Sequence, residues 1–315
     1  MILNKTTKIR LNYLIGAVIS GILLYSLYLQ MQKQLTQVDP EDLFMSGLTP
    51  FLVLALVLMP LNIAIEAFKW KILAGVAQPT SYTQAVKSVL GGIALSIVTP
   101  NRIGEYPGRI LYMKRKNTIR LISVAILAAF AQFLTLFTFG IIGLLYYNAQ
   151  FPGTMALIIL IAAIIILTII ALIFFRFESW SAYFEHLSWF RRFRTYGHLL
   201  KRFTTSQQLQ VLALSAIRFL VFTAQYLILL RWMNIPLSPV EGLCTAFLFF
   251  WAIAVIPSIA LAELGIRGQV SLFLFHNFSA NTMGIFAATI GLWCINLVIP
   301  AVVGSILLIR MRLLR

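Results

Sequence analysis

Aspartate is almost missing from this sequence: Asp39 and Asp42 are the only two, and Asp and Glu together number 9 against 25 Lys and Arg. Metal-dependent phosphotransfer and sugar-nucleotide transfer want clustered carboxylates to hold the ion, and no such cluster exists. The two cysteines, Cys244 and Cys294, both lie in apolar runs, which excludes a disulfide framework and a Cys-based metal site. The histidines His186, His198 and His276 have no second ligand close in sequence, so neither metal nor cofactor is expected. No G-x-x-x-x-G-K-[ST] loop is present, so ATP is not the chain's own energy source, and no G-x-S-x-G motif suggests a hydrolase.

Charge of any kind is scarce. Only 11% of the 315 residues are charged, and 60% are hydrophobic. A water-soluble domain needs roughly twice that charge to cover its surface. The apolar runs are continuous rather than alternating, which argues against a transmembrane barrel. The expected fold is therefore an all-α integral membrane bundle. A net charge of +16 would suggest nucleic acid in a soluble chain. In a membrane chain it reads as basic cytoplasmic loops facing anionic lipid, and no nucleic acid is expected.

Uncharged runs fall at 11–29, 48–65, 121–175, 242–262 and 268–309. The first follows Lys5, Lys8 and Arg10, is too long for a signal-peptide core, and reads as a retained membrane helix. The run at 121–175 must fold back at Asn148–Gly153, giving helices near 119–147 and 154–175. Further helices are expected near 207–231, interrupted by Arg218, and near 282–309. Lys69-Trp70 and Arg231-Trp232 mark the ends of matching helices. The distribution of Lys and Arg places both termini, the connection carrying Lys69, Lys71 and Lys87, Lys114–Arg120 and the segment 176–206 in the cytoplasm of a plasma-membrane protein. That last segment reads as an amphipathic, lipid-binding helix or as an ordinary basic loop.

Two segments cannot be simple spans on this assignment. Residues 72–118 start and finish inside, and residues 241–281 start and finish outside, yet each contains an apolar stretch with a proline, Pro100 or Pro257. Each is expected to dip into the membrane and return. The halves 1–150 and 151–315 then form an inverted-topology repeat, the layout of many carriers with a site near the midplane.

The candidate site residues sit on the dips. Glu105 with Arg109 and Glu263 with Arg267 are i,i+4 pairs on one helical face. Each pair either staples its own hairpin or presents a guanidinium to a lipid phosphate. Arg102 sits at the cytoplasmic mouth, as headgroup contact or interfacial anchor. Arg218 lies mid-helix with no acid within a turn, so an acid on another element must meet it. Glu66 is expected to pair with Lys69 or Lys71 at the interface.

The stretch Ser96-Ile-Val-Thr-Pro100-Asn-Arg-Ile-Gly104-Glu105, followed by Arg109, resembles the signature of the lysylphosphatidylglycerol synthase transmembrane-region family, also called flippase-like membrane proteins. Its members share an early Pro-x-Arg-x-Gly-Glu and a late Pro…Gly-x-Arg, here Pro257…Gly265-Ile-Arg267. The late stretch departs from the pattern: Ser-Ile-Ala-Leu-Ala replaces a Gly-rich turn, and Glu263 precedes the arginine rather than following it. Bifunctional members add a soluble domain that aminoacylates phosphatidylglycerol, and none is seen before Arg315. The resemblance implies a lipid flippase acting on a phospholipid or lipid-linked substrate. A scaffold for a lipid-modifying enzyme or glycosyltransferase, and an embedded headgroup enzyme, are the alternatives.

Overall fold

The computed structural model describes Val18, Tyr25, Tyr28, Leu29, residues 50–97, Thr99, 102–114, 117–176 and 203–256, the backbone of Glu263, and residues 264–309. The expected first helix lies outside the described residues apart from four helical positions. So do the loop at 30–47, the basic segment 177–202, the termini, Pro100 and Pro257.

Apolar runs without charge form long helices because inside lipid only a helix satisfies its own backbone. Five helices among the described residues are long and apolar enough to cross a membrane: α1 (Pro50–Ala77), α4 (Thr118–Gln150), α5 (Thr154–Phe175), α6 (Thr205–Trp232) and a composite of α9 (Thr282–Trp293) and α10 (Ile299–Ile309). The composite is joined by a π-helical turn at Cys294–Val298. That turn precedes Pro300, whose missing N–H and bulky ring disturb the ladder toward residue 296. Enclosure differs sharply: 61% of the apolar window of α4 is buried against 17% of that of α5, so α4 is central and α5 peripheral.

The remaining described helices are shorter, from 7 to 17 residues. The helices α2 (Tyr82–Ser96) and α3 (Glu105–Leu111) have 15 and 7 residues, about 22 and 10 Å at 1.5 Å per residue. They form an antiparallel hairpin held closed by glycine. A Cβ on Gly108 would stand 2.6 Å from both Gly91 O and Gly92 Cα, so the two backbones touch with no side chain between them. Both ends of the hairpin return to one point. The Gln78 Oε1 accepts from Lys114 N at 3.2 Å and from Asn117 Nδ2 at 3.1 Å, tying the end of α1 to the start of α4.

A second hairpin, α7 (Pro239–Val255) and α8 (Glu263–Phe275), has 17 and 13 residues. Ser238 caps α7 in a capping box with Glu241, with proline in the first turn, a strong local start signal. Its two ends also meet, because Asn281 Nδ2 donates to Met233 O at 3.0 Å. The packing of α7 on α4 is aromatic, with Phe137 edge-on to Trp251 and Phe139 beside Phe247.

Two main apolar cores lie along the bundle. One holds Ala67, Trp70, Leu73, Val89, Val124 and Val211; the other holds Ala55, Phe219, Tyr226, Phe249 and Phe275. A smaller cluster brings Ile97, at the end of α2, together with Leu264, at the start of α8, around Trp293 and Leu297. The tips of both hairpins therefore pack on the π-helical turn.

Two boundaries differ from expectation. The second span continues to Ala77 rather than ending at Lys69-Trp70, and those two residues are buried at 2% and 0% exposure. A lysine paired within its own helix does not terminate a span, so the run of uncharged residues underestimates it. Also, α4 runs through Asn148 to Gln150, leaving only Phe151–Gly153 as the break.

Glycine substitution tests the hairpin contact. Gly108→Ala should cost about 1–3 kcal/mol by overpacking backbone on backbone. Gly75→Ala, where a Cβ meets nothing within 4 Å, should raise stability by about 0.5–1 kcal/mol. Thermal unfolding of the two variants in detergent measures both, and an equal effect of the two would contradict the close approach.

Candidate functional site

The pairing of α1 with α6 sets the site. Along the antiparallel seam, Gln225 Nε2 donates to Ala55 O at 2.8 Å, Arg218 Nε to Asn62 Oδ1 at 2.8 Å, and Lys69 Nζ to Ser215 Oγ at 3.4 Å. Asn62, Glu66 and Lys69 fall at i, i+4 and i+7, one stripe of α1 facing α6. Arg218 lies halfway along α6, about 20 Å from either end.

Glu66 is the centre. Its Oε2 is 2.8 Å from Lys69 Nζ and 3.1 Å from Arg218 Nη1, and its Oε1 is 2.7 Å from Arg109 Nη2. One carboxylate from α1 thus meets a cation from α1, one from α3 and one from α6. Arg109 reaches it because the glycine contact sets α3 close against α2. The same Nη2 also pairs with Glu105 one turn earlier on α3. The Arg109 guanidinium lies 5.3 Å from the ring centre of Trp70, and that of Arg218 lies 5.3 Å from Phe222, adding cation–π attraction.

Burial grades the five charges. Side-chain exposure is 3% for Glu66, 2% for Lys69 and 7% for Arg109, against 21% for Arg218 and 29% for Glu105. Three cations and two anions in their ordinary ionisation states leave a surplus of one positive charge. Three buried donors at the same site, Asn62 Nδ2, Trp70 Nε1 and Arg109 Nε, meet no acceptor among the described residues. Buried donors are ordinarily satisfied, and each one left open costs about 1–3 kcal/mol. Surplus charge and open donors thus coincide around one buried carboxylate.

The sequence expectations map onto this site unevenly. Glu105 and Arg109 pair as their spacing implies. Arg218 meets an acid from another helix, which is Glu66. Glu66 does pair with Lys69, but in the bundle interior rather than at the interface, because α1 runs eleven residues beyond it. Arg102 adopts a left-handed φ of 57° at the tip of the first hairpin, two residues before Gly104, which precedes α3. Thr99 Oγ1 accepts from Gly104 N at 2.8 Å there, tightening the turn. Arg267 and Gly265 stand on α8, partly buried, while the Glu263 side chain lies outside the described residues.

Sequence reasoning missed Lys69, Asn62, Trp70 and Ser215 as parts of the site. The stripe at 62, 66 and 69 was the available signal, since one acid and one base three residues apart cancel in charge while six uncharged residues, 72–77, continue the apolar run.

The sequence profile of one family, described as Lysylphosphatidylglycerol synthase TM region, matches residues 13–304 of this chain. No curated protein matches it.

Removing a buried carboxylate leaves its cations uncompensated, which costs about 3–5 kcal/mol, whereas a partly solvated pair contributes about 1 kcal/mol or less. Glu66→Gln should therefore destabilise the protein several times more than Glu105→Gln. Denaturation of the two variants side by side measures the difference, and comparable losses would remove Glu66 from the centre of the network.

Proposed function

The chain belongs to the lysylphosphatidylglycerol synthase transmembrane-region family, and from that premise and the charged cluster we propose that it is a flippase-like carrier for an anionic lipid. The observation that carries this reading is the excess of cation and open donors around Glu66, deep inside an integral membrane bundle. A phosphate or other anionic headgroup moving through the bilayer must replace its hydration, and planar guanidinium groups supply paired donors for that purpose. Arg109 is the principal headgroup ligand in this reading, with Arg218 beside it and Trp70 and Asn62 contributing neutral donors.

The two short hairpins support the same reading. Their helices are shorter than the five long spans, and each hairpin returns to its own start, through Gln78 in one case and Asn281 in the other. With Lys71 and Lys114 on the cytoplasmic side of the plasma membrane, the first hairpin is re-entrant from inside and the second from outside. This is the inverted arrangement of carriers that bind near the midplane. Both carboxylates of the cluster are engaged by cations, which fits positioning of charge better than general acid or base work. The basic segment 176–206 would bind anionic headgroups of the cytoplasmic leaflet.

Reconstitution decides this. In proteoliposomes carrying fluorescent phosphatidylglycerol or phosphatidylcholine in the inner leaflet, the wild-type chain should speed appearance of the anionic lipid outside. Arg109→Gln should reduce the rate about tenfold or more, the scale of one charge-assisted contact. Arg109→Lys should also be impaired, because an ammonium cannot reproduce the fork. Rates in Arg109→Gln equal to wild type would defeat the proposal, and transport that does not distinguish the two lipids would remove the headgroup from it.

A further inference from the structure

The seam between α3 and α4 carries an apolar slot that opens beside the charged cluster. It has a volume of about 310 Å³, and its walls include Tyr106 from α3 and Ile122, Ile126, Ala129 and Phe133 from α4. Ile122 and Phe133 are eleven residues apart, so the slot runs about 16 Å along the axis of α4. That is the direction in which lipid chains lie. Its lining joins exposed and core residues: Ile122, Ile126 and Phe133 are exposed, while Ala125 is buried.

Tyr106 is adjacent to Glu105 on α3, the helix that also carries Arg109. Slot and cluster are therefore neighbours across one residue of α3. Glu105 is the most exposed of the five charged groups and pairs with Arg109 from its own helix, while Glu66 is enclosed by three cations. An anion arriving along α3 meets Glu105 first. It can take that carboxylate's place on Arg109 without disturbing Glu66.

We propose that the lipid reaches the site sideways from the bilayer, with one acyl chain in the α3–α4 slot, while its phosphate displaces Glu105 from Arg109. The inference rests on the carrier reading above and adds its route and its exchanged counterion. An anionic lipid is the occupant that fits both halves, since the slot is apolar and the cluster beside it has a surplus positive charge. In this scheme Glu105 holds the position of the headgroup when no lipid is present. Glu66 remains the fixed counterion throughout.

Photolabelling tests the route. The full chain is reconstituted in phosphatidylcholine vesicles with a trace of phosphatidylglycerol bearing a diazirine on one acyl chain, and adducts are mapped by mass spectrometry. Adducts should fall on residues 122–133 and exceed those from a diazirine phosphatidylcholine about tenfold, the scale of one charge-assisted contact. Ala129→Trp should fill the slot, abolish these adducts and slow translocation. Ile126→Trp, at an exposed position, is the second variant should the first fail to fold. Glu105→Gln should raise anionic labelling severalfold, because the competing carboxylate is gone; a mere staple would give no gain. Equal labelling by the neutral probe would make the slot ordinary bilayer contact and overturn the proposal, as would an anionic preference that survives Arg109→Gln. Loss of transport in Arg109→Gln without wild-type adducts in the slot would overturn the route alone. Unchanged transport in Arg109→Gln would instead defeat the carrier reading itself.

Discussion

One carboxylate is the shared partner of three cations, and much of the architecture depends on that. Glu66 is drawn out of water together with Lys69, Arg109 and Arg218, and each of those ions would cost several kcal/mol if buried alone. Its two oxygens divide the work, one meeting Lys69 and Arg218 and the other Arg109. The interaction fixes the register of α1 on α6, since a shift of one residue would carry Arg218 away from both Asn62 and Glu66. It also fixes how far α3 penetrates, since Arg109 must reach the same carboxylate. Electrostatics here specifies position more than it adds net stability, because the Coulomb gain is largely offset by desolvation.

The cluster falls between the two main apolar cores. On α1, Ala55 belongs to one core and Ala67 and Trp70 to the other; on α6 the division lies between Val211 and Phe219, with Arg218 at the boundary. The cores supply the burial that holds the helices together, and the ionic layer lies between them. Placing the ions at this junction keeps each core uniformly apolar. It also explains why Arg218 and Glu105 retain some exposure: a discontinuity in side-chain packing is where access is cheapest to provide.

The spanning helices were legible in the sequence because hydrocarbon demands long uncharged runs, and the shorter helices fall in the two segments, 72–118 and 241–281, whose apolar stretches did not fit as simple spans. The i,i+4 pair on α3 followed from spacing alone. What charge counting could not show was the continuation of α1 through Lys69 and Lys71. A rule that ends a span at the first lysine treats every ammonium as hydrated, while Lys69 exchanges water for Glu66 and Ser215. The choice of Glu66 as the partner of Arg218 was likewise beyond reach, because Glu66, Glu105 and Glu263 all lie in or beside apolar stretches and only the packing of α1 on α6 selects one.

The hairpins are not independent of each other. Ile97 ends α2 and Leu264 begins the described part of α8, and both pack into the cluster formed by Trp293 and Leu297. Gly304, on α10 beyond that cluster, lies so close to Leu90 of α2 that a Cβ would collide with its carbonyl. The last span therefore touches the first hairpin at its tip and along its length. A close-packed contact of this kind transmits displacement rather than absorbing it. The π-helical turn at Cys294–Val298 and Pro300 lie where both tips press on that span, at the point where its own backbone ladder is weakest. Movement of α3 that carried Arg109 away from Glu66 would have to be accommodated through α2 at this turn, which ties the charged site to the second hairpin by packing alone.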